Sequence, residues 1–441
     1  MPLSADARRL LADRRRRIAD AMPGGVMLLA SASEQIRTAD THFPFRQDSD
    51  FDYVTGFSEP DAIAVLAPGH AEPYALFVRP KDAEREQWVG RRAGVEGAVA
   101  DFDAAVAHPI ADFEKEIGRW LAKADEVWLP LGRQDVLGER LMAVVRAAQA
   151  QRPRSGAGPH VLHEAGEVLH EMRLFKDPTE LRLLRETIAI AAEAHREAMR
   201  TARPGMREYE IEALVDYTFR RRGAVGPAYP SIVAGGANAV VLHYTDNAAE
   251  LAADALLLID AGSERAGYCA DITRTFPIGP RFSPAHRDLY DAVLASQLAA
   301  IGAVKPGATL DGLHALTLRV LVEALVHLGL LAGGVDEIVE KETYKRLYMH
   351  RTSHWLGRDV HDVGRYKVAD APRPLAPGMV FTIEPGCYVP ADADDLPAGL
   401  RGTGIRIEDD VLVTDTGCEV LSKDAPKLAP EIEELRRAAF A

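Results

Sequence analysis

The sequence predicts an α/β (α+β) protein of two domains, a small layered domain followed by a larger one built from two similar halves. Three observations carry this. The chain has 441 residues, more than one ordinary core accommodates. Its first part alternates short apolar strands with helical patterns, as a small α/β layer requires. Its second part opens with a fresh helix start and then uses one helix-then-strand pattern twice. The expected division is 1–172 and 173–441.

Composition narrows the class. Hydrophobic residues make up 47% and charged residues 27% of the chain, the balance of a soluble globular protein. The formal net charge of −14 disfavours a nucleic-acid partner or an anionic membrane surface. No apolar run reaches the ~18 residues a membrane span needs. Cys269, Cys387 and Cys418 are odd in number and widely spaced, so neither a disulfide framework nor a thiolate zinc site is expected. A reducing cytoplasm suits them. The Arg-rich start lacks an apolar stretch for secretion, and Asp6, Asp13 and Asp20 argue against a transit peptide. Ser4 capping a surface helix is the expectation there.

In the first part, VMLLASA reads as a strand, followed by a loop reaching FRQDSDFDYVTGF at Phe45–Phe57. AIAVLAP and YALFVRP read as strands closed by proline, EIGRWLAKA as a helix and EVWLPLG as another strand. RPRSGAGPH, at Arg152–His160, is the expected loop or linker near the domain boundary. No Gly-rich phosphate loop or Cys/His cluster occurs, so this domain is assigned no chemistry of its own. The polar, aromatic-interleaved segment Asp40–Asp50 and Trp88 are the two places from which it could reach a site.

The second part begins with Asp177 as cap, Pro178 at the first helical position and Glu180 completing a capping box. Leu181, Leu184, Ile188 and Ala192 repeat at helical spacing, and the helix is expected to end near Arg203-Pro204-Gly205. The stretch ARPGMREYEIEALVDYTFRRRG from Ala202 is echoed by VKPGATLDGLHALTLRVLVEALVHLG from Val304. Strands echo as well: LLLIDAG at Leu256–Gly262 and VFTIEPG at Val380–Gly386 each end in a carboxylate, one further residue and Gly. Asp260 and Glu384 are therefore expected to face one another.

Alternation places Leu256, Leu258 and Asp260 on one strand face. It does the same for Cys269, Asp271, Thr273 and Thr275, and for Gly404, Arg406 and Glu408. These carboxylates are expected on strands in apolar surroundings, where unpaired charge is costly unless cations neutralise it. Asp260, Asp271, Glu384 and Glu408 with one imidazole balance two divalent cations. An oxygen-rich set favours a hard ion such as Mn²⁺, with Co²⁺ or Zn²⁺ as alternatives. Two such ions suit hydrolysis.

Three histidines, His350, His354 and His361, crowd MHRTSHWLGRDVHDVG. A helical HExxH zinc site is excluded because Arg351 stands where the glutamate would be. No GxSxG occurs, which weakens a serine hydrolase.

HYTDN at His243–Asn247, LIDAG with ADITRTF, HRTSHWLGRDVHDVG, TIEPG and GIRIEDDVLVT resemble, in this order, the creatinase/prolidase/methionine aminopeptidase family. FRQDSDFDYVTGF is similar to a segment of that family's aminopeptidase P branch. The resemblance implies a creatinase-like N-terminal domain and a C-terminal pita-bread domain with pseudo-two-fold halves. Methionine aminopeptidases lack the first domain, and creatinase lacks the ligand set. By resemblance the metal ligands are Asp260, Asp271, His354, Glu384 and Glu408, with Asp271 and Glu408 bridging. His243 and His361 would line the substrate groove and His350 would lie on the proline side of the cut, all three being catalytic along with Glu384. Tyr388 and Arg406 would support ligands and substrate. Tyr229 and Asp40 would reach the substrate, Asp40 facing its free amine, and Trp88 would reach a site in its own or a neighbouring subunit. Arg351-Thr352 departs from the smaller Gly-led pair common in the family and puts local groove shape in question.

The implied activity is hydrolysis of the bond between an N-terminal residue and a following proline. A metal-bridging hydroxide would attack, His361 or His243 would stabilise the oxyanion, and Glu384 would serve as base and then acid. The implied partners are peptides with proline second, in a homodimer or homotetramer. A prolidase restricted to dipeptides and a non-catalytic pita-bread binding protein are the competing readings.

Overall fold

Short apolar runs stopped by proline or glycine become the sheet of the first unit. All residues of Val26–Ala30, Ile63–Leu66 and Tyr74–Val78 are buried, as strands covered on both faces require. The computed structural model describes residues 3–440, and the chain divides into units Met1–Glu171 and Met172–Ala441. In the first unit the six-stranded sheet runs in the order Val106–Pro109, Tyr74–Val78, Ile63–Leu66, Val26–Ala30, Glu126–Leu129, Val161–Glu164. Pairing is mixed, antiparallel among the three inner hydrophobic strands and parallel to the outer ones. Phe77, Phe113 and Trp120 meet edge to face beneath it.

Four local features differ from expectation. FRQDSDFDYVTGF contains a helix, Ser49–Thr55, because Asp48 accepts the Phe51 amide at 2.9 Å and Gly56 closes the end at φ 62°. EIGRWLAKA forms no single helix but parts of two one-turn pieces, Phe113–Glu116 and Gly118–Leu121. Arg152–Ser155 belongs to the helix Val136–Ser155, with Pro153 in its last turn and Gly156 as cap. The loop that follows leads into the outermost strand, Val161–Glu164, so it is internal to the first unit rather than a linker.

In the second unit the Asp177/Glu180 capping box forms and starts the helix Pro178–Thr201. It is followed by the helix Glu208–Arg221, and the pair recurs as Pro284–Ala303 and Leu310–His327. A three-stranded antiparallel sheet follows each pair: Ile232–Gly235, Leu256–Asp260, Thr273–Pro277 in the first half, and Val380–Ile383, Asp409–Val413, Cys418–Val420 in the second. Asp260 ends its strand opposite Thr273, and Ile383 stands opposite Asp409.

Each half thus brings one carboxylate to the end of a strand and another to the approach of its antiparallel neighbour. Only Asp260 lies within a strand; Asp271, Glu384 and Glu408 occupy the short breaks between strands. The expectation of strand-borne acids is corrected there, because a continuous ladder would leave these carboxylates no room to converge. Among the described residues no helix is long and apolar enough to cross a membrane.

Candidate active site and metal centre

The histidine stretch is not helical: its middle is extended and its end bends around His361. Residues 352–356 lie along the strand Val380–Ile383: Glu384 N donates to Thr352 O at 2.8 Å, Thr382 N to His354 O at 2.9 Å and Leu356 N to Val380 O at 3.0 Å. This zipper sets His354 beside Glu384. His354 Nε2 then lies 3.3 Å from Asp271 Oδ2, 3.6 Å from Glu384 Oε1 and 4.0 Å from Glu408 Oε1. One ligand atom each from Asp271, His354 and Glu408 falls within 4.8 Å of the others.

Asp260 completes the carboxylate set through shared partners. Tyr229 Oη lies 2.6 Å from Asp260 Oδ1 and 2.5 Å from Asp271 Oδ1, so its single proton serves one of the two at a time. Arg406 Nη2 donates to Asp260 Oδ2 at 2.6 Å, Nη1 to Tyr388 Oη at 3.0 Å and Nε to Thr273 Oγ1 at 3.1 Å. Thr273 Oγ1 in turn donates to Glu408 Oε2 at 2.6 Å. Behind Asp271, its backbone amide donates to the buried Asp410 at 3.2 Å.

The residues fit a cation. Among the described residues, Arg406 is the one Lys or Arg ion-paired with these four carboxylates, through Asp260, which leaves Asp271, Glu384 and Glu408 crowded around His354 with no Lys or Arg partner. Burial pushes Glu384 up to about 7, reinforced by Asp271 and Asp260 and opposed by His354 and Arg406. Glu408 is pushed well above the carboxylate range by burial and by Asp271, Glu384 and Asp260. Burial opposes charge on His354, yet its bond to Asp271 and the charges of Glu384 and Asp271 raise it to about 9. A cluster that recruits protons so strongly is one built to hold cations. Five donors rich in oxygen match hard divalent ions.

The other histidines stand around this pocket. His361 is exposed, with its ring edge-on to His354 at 4.3 Å between centroids. Burial, then His354, lowers its pKa. His243 is exposed and close enough that its charge also depresses His361. His350 is lowered to about 4 by burial and then by Arg406. Its Nδ1 lies 2.8 Å from Arg351 O and its Nε2 2.8 Å from Tyr388 Oη. A carbonyl can only accept, so Nδ1 donates to Arg351 and Nε2 accepts the Tyr388 proton. Both nitrogens are therefore engaged.

Some placements differ from what the motifs suggested. Tyr229 contacts the carboxylates rather than an open groove. Arg351 turns out to Asp311, and buried Thr352 meets His314 Nδ1 and Tyr348 Oη at 2.7 Å each, so the departure from the Gly-led pair has its own set of partners. In the first unit, Asp40 sits in the exposed turn of the hairpin Ile36–Thr38/Thr41–His42. Trp88 is 84% exposed on the helix Ala83–Val89. Thr273, Asp410 and Tyr229's bridging position escaped sequence reasoning. The ADITRTF alternation held the signal for Thr273, since it shares a face with Asp271.

A repeated helix-and-sheet scaffold delivering carboxylates and one imidazole to a single buried point defines a metallohydrolase. Residues 182–415 match metallopeptidase family M24, and residues 11–128 match the aminopeptidase P N-terminal domain. The chain belongs to metallopeptidase family M24 and has the two-domain α/β fold of aminopeptidase P structures. It is similar to the Xaa-Pro aminopeptidase of Escherichia coli K12, 41% identical over 422 residues and 95% of each chain. It is also similar to human Xaa-Pro aminopeptidase 3, 35% identical over 90% of this chain and 78% of that protein. Among solved structures, an aminopeptidase of Pseudomonas aeruginosa superposes with a TM-score of 0.95, at 44% identity and 98% coverage of both chains. E. coli aminopeptidase P in complex with substrate gives 0.94, at 39% identity and 100% of both.

Proposed function

We propose that the chain is a dinuclear-metal aminopeptidase cleaving between an N-terminal residue and a following proline. The observation that carries this reading is the convergence of Asp271, His354 and Glu408 in a pocket with two further carboxylates. The names of the similar proteins support the proline specificity. Asp260, Asp271, His354, Glu384 and Glu408 would hold two divalent cations, Mn²⁺ in first place and Co²⁺ or Zn²⁺ as alternatives. Such cations supply an acidified water as nucleophile and polarise the scissile carbonyl.

The chain's own residues do the rest. Glu384, a carboxylate at the pocket 3.6 Å from His354 Nε2, suits taking a proton and delivering it to the proline nitrogen. His361 and His243, exposed at the pocket edge, suit hydrogen bonds to the scissile peptide and its developing oxyanion. His350, with both nitrogens engaged, shapes the proline side of the groove with Tyr388 rather than moving a proton. Arg406 and Tyr229 fix the orientation of Asp260 and Asp271. Proline needs such a shaped groove because its nitrogen carries no hydrogen and its ring fixes φ.

The domain division is proposed at 172/173, with Asp40 facing the substrate amine. The exposure of Trp88, on a helix with no buried residue, supports a homodimer or homotetramer in which it meets another copy. The free cysteines Cys269, Cys387 and Cys418 support a cytoplasmic setting. The deciding experiment incubates the Mn²⁺-loaded protein with an Xaa-Pro dipeptide and an Xaa-Pro-Yaa tripeptide. Release of the first residue from the tripeptide is expected. Cleavage of the dipeptide alone would make it a prolidase, and no cleavage with no bound metal would make it a binding protein.

A further inference from the structure

Glu208, the first residue of the helix Glu208–Arg221, is fully buried, yet among the described residues no Lys or Arg is paired with it. Four neutral donors satisfy its carboxylate instead. Oε1 accepts from Gly235 N at 2.7 Å and Asn238 Nδ2 at 2.8 Å. Oε2 accepts from Tyr244 Oη and Ala249 N, each at 2.8 Å. Its own backbone amide donates to Ala249 O at 3.0 Å. All four donors belong to residues 235–249, the segment that carries His243.

His243 itself is exposed and makes no hydrogen bond among the described residues, so the backbone of this segment carries its placement. Asn247 anchors the same segment from the other side, bonding Val233 N at 3.0 Å and Ser231 O at 2.9 Å. The helix N-terminus at Glu208 further favours a negative charge there. One buried carboxylate thus gathers both ends of the segment and the residue next to His243. Burying a charge in this way is costly unless every lone pair is used, and the four donors use them.

We propose that Glu208 is a positioning residue for the reaction: through Tyr244 and the amides of Gly235 and Ala249 it holds the segment that presents His243 to the peptide. The inference rests on the groove role given to His243 above. A residue that only stabilised the fold would affect the enzyme equally whether or not His243 is present. The test is therefore a double-mutant cycle on the Mn²⁺-loaded full chain. The variants are Tyr244→Phe, Glu208→Gln, His243→Ala and the two combinations with His243→Ala, assayed for kcat and KM on an Xaa-Pro-Yaa peptide and for thermal melting.

Tyr244→Phe, which removes one donor and keeps the carboxylate, is expected to lower kcat/KM roughly tenfold, the order of one lost hydrogen bond to a charged group. In the His243→Ala background the same change is expected to cost less than about twofold. Glu208→Gln should show the same dependence on His243; where it fails to fold, Tyr244→Phe decides. Equal losses in both backgrounds, or no loss from Tyr244→Phe, overturn the positioning role and leave His243 in the groove. No loss from His243→Ala alone overturns the groove role and the positioning role together.

Discussion

Arg406 Nη2 donates to Asp260 Oδ2 at 2.6 Å while its Nη1 holds Tyr388 Oη at 3.0 Å, so one guanidinium orients a carboxylate and the tyrosine that bonds His350. A lysine carries the charge but not the fork. Arg406→Lys is expected to weaken Mn²⁺ binding about 10- to 100-fold, the range for losing a group that orients metal ligands. Calorimetric titration of the metal-free variant measures it. Affinity equal to that of the unaltered chain would mean Asp260 needs no such support.

Asp271, Glu384 and Glu408 share one pocket with no Lys or Arg partner among the described residues, and burial with their mutual repulsion holds Glu408 well above the carboxylate range until cations arrive. Stripping the protein with a chelator should lower its melting temperature, and Mn²⁺ should restore it. A metal concentration 100 times the Kd adds about 2.7 kcal/mol to stability. Glu408→Gln, which removes one carboxylate ligand, should shrink the restoration. Identical melting with and without Mn²⁺ would sink the metal assignment.

What the sequence made legible follows from periodicity and local chemistry. The echo of LLLIDAG in VFTIEPG placed Asp260 and Glu384 in matching positions because both strand ends are local patterns. The helix at Ser49–Thr55 was hidden because seven residues held between two caps are too few to carry a periodic signal. Val106–Pro109 and Val161–Glu164 escaped for the opposite reason: they are short outer strands, mostly half-buried, whose pairing is decided by neighbours far along the chain. The partners of Glu208, Thr273 and Asp362 come from dozens to hundreds of residues away, beyond any spacing rule.

Asp362, beside His361, is clamped by two buried cations. Arg173 Nη2 reaches Oδ1 at 2.6 Å and Lys176 Nζ reaches Oδ2 at 3.0 Å, with no solvent access to the carboxylate. Gly357 permits this: a Cβ there would stand 2.1 Å from Asp362 Oδ2. Asp362→Asn leaves Lys176 without its carboxylate, whereas Arg173 keeps Asp359 at 2.7 Å. The expected loss lies at the lower end of about 3–5 kcal/mol in denaturant unfolding. A drop in kcat/KM should accompany it as His361 shifts. Gly357→Ala should be destabilised as well, and a stable, fully active Asp362→Asn would show that the clamp is dispensable.

Asp409 gives the acid limit of the fold. It is fully buried, bonded to Arg274 Nη2 at 2.7 Å, Ser422 Oγ at 2.6 Å and Gln297 Nε2 at 3.0 Å, and paired with Lys427. Burial alone would raise its pKa, but Arg274 and Lys427 outweigh that and bring it down to about 2. Unfolded, the carboxyl titrates near ~3.9. A depressed folded value means the contribution is fully present above pH ~4 and disappears as pH falls toward ~2; it amounts to about 2–3 kcal/mol. Asp409→Asn removes the titration and also strands the buried Arg274 and the half-buried Lys427, so it is less stable at neutral pH. The stability difference between the unaltered chain and Asp409→Asn, measured by denaturant unfolding in chelator, should therefore narrow between pH ~4 and ~2. A difference that stays constant across that window would show that the ion pairs do not hold Asp409 ionised.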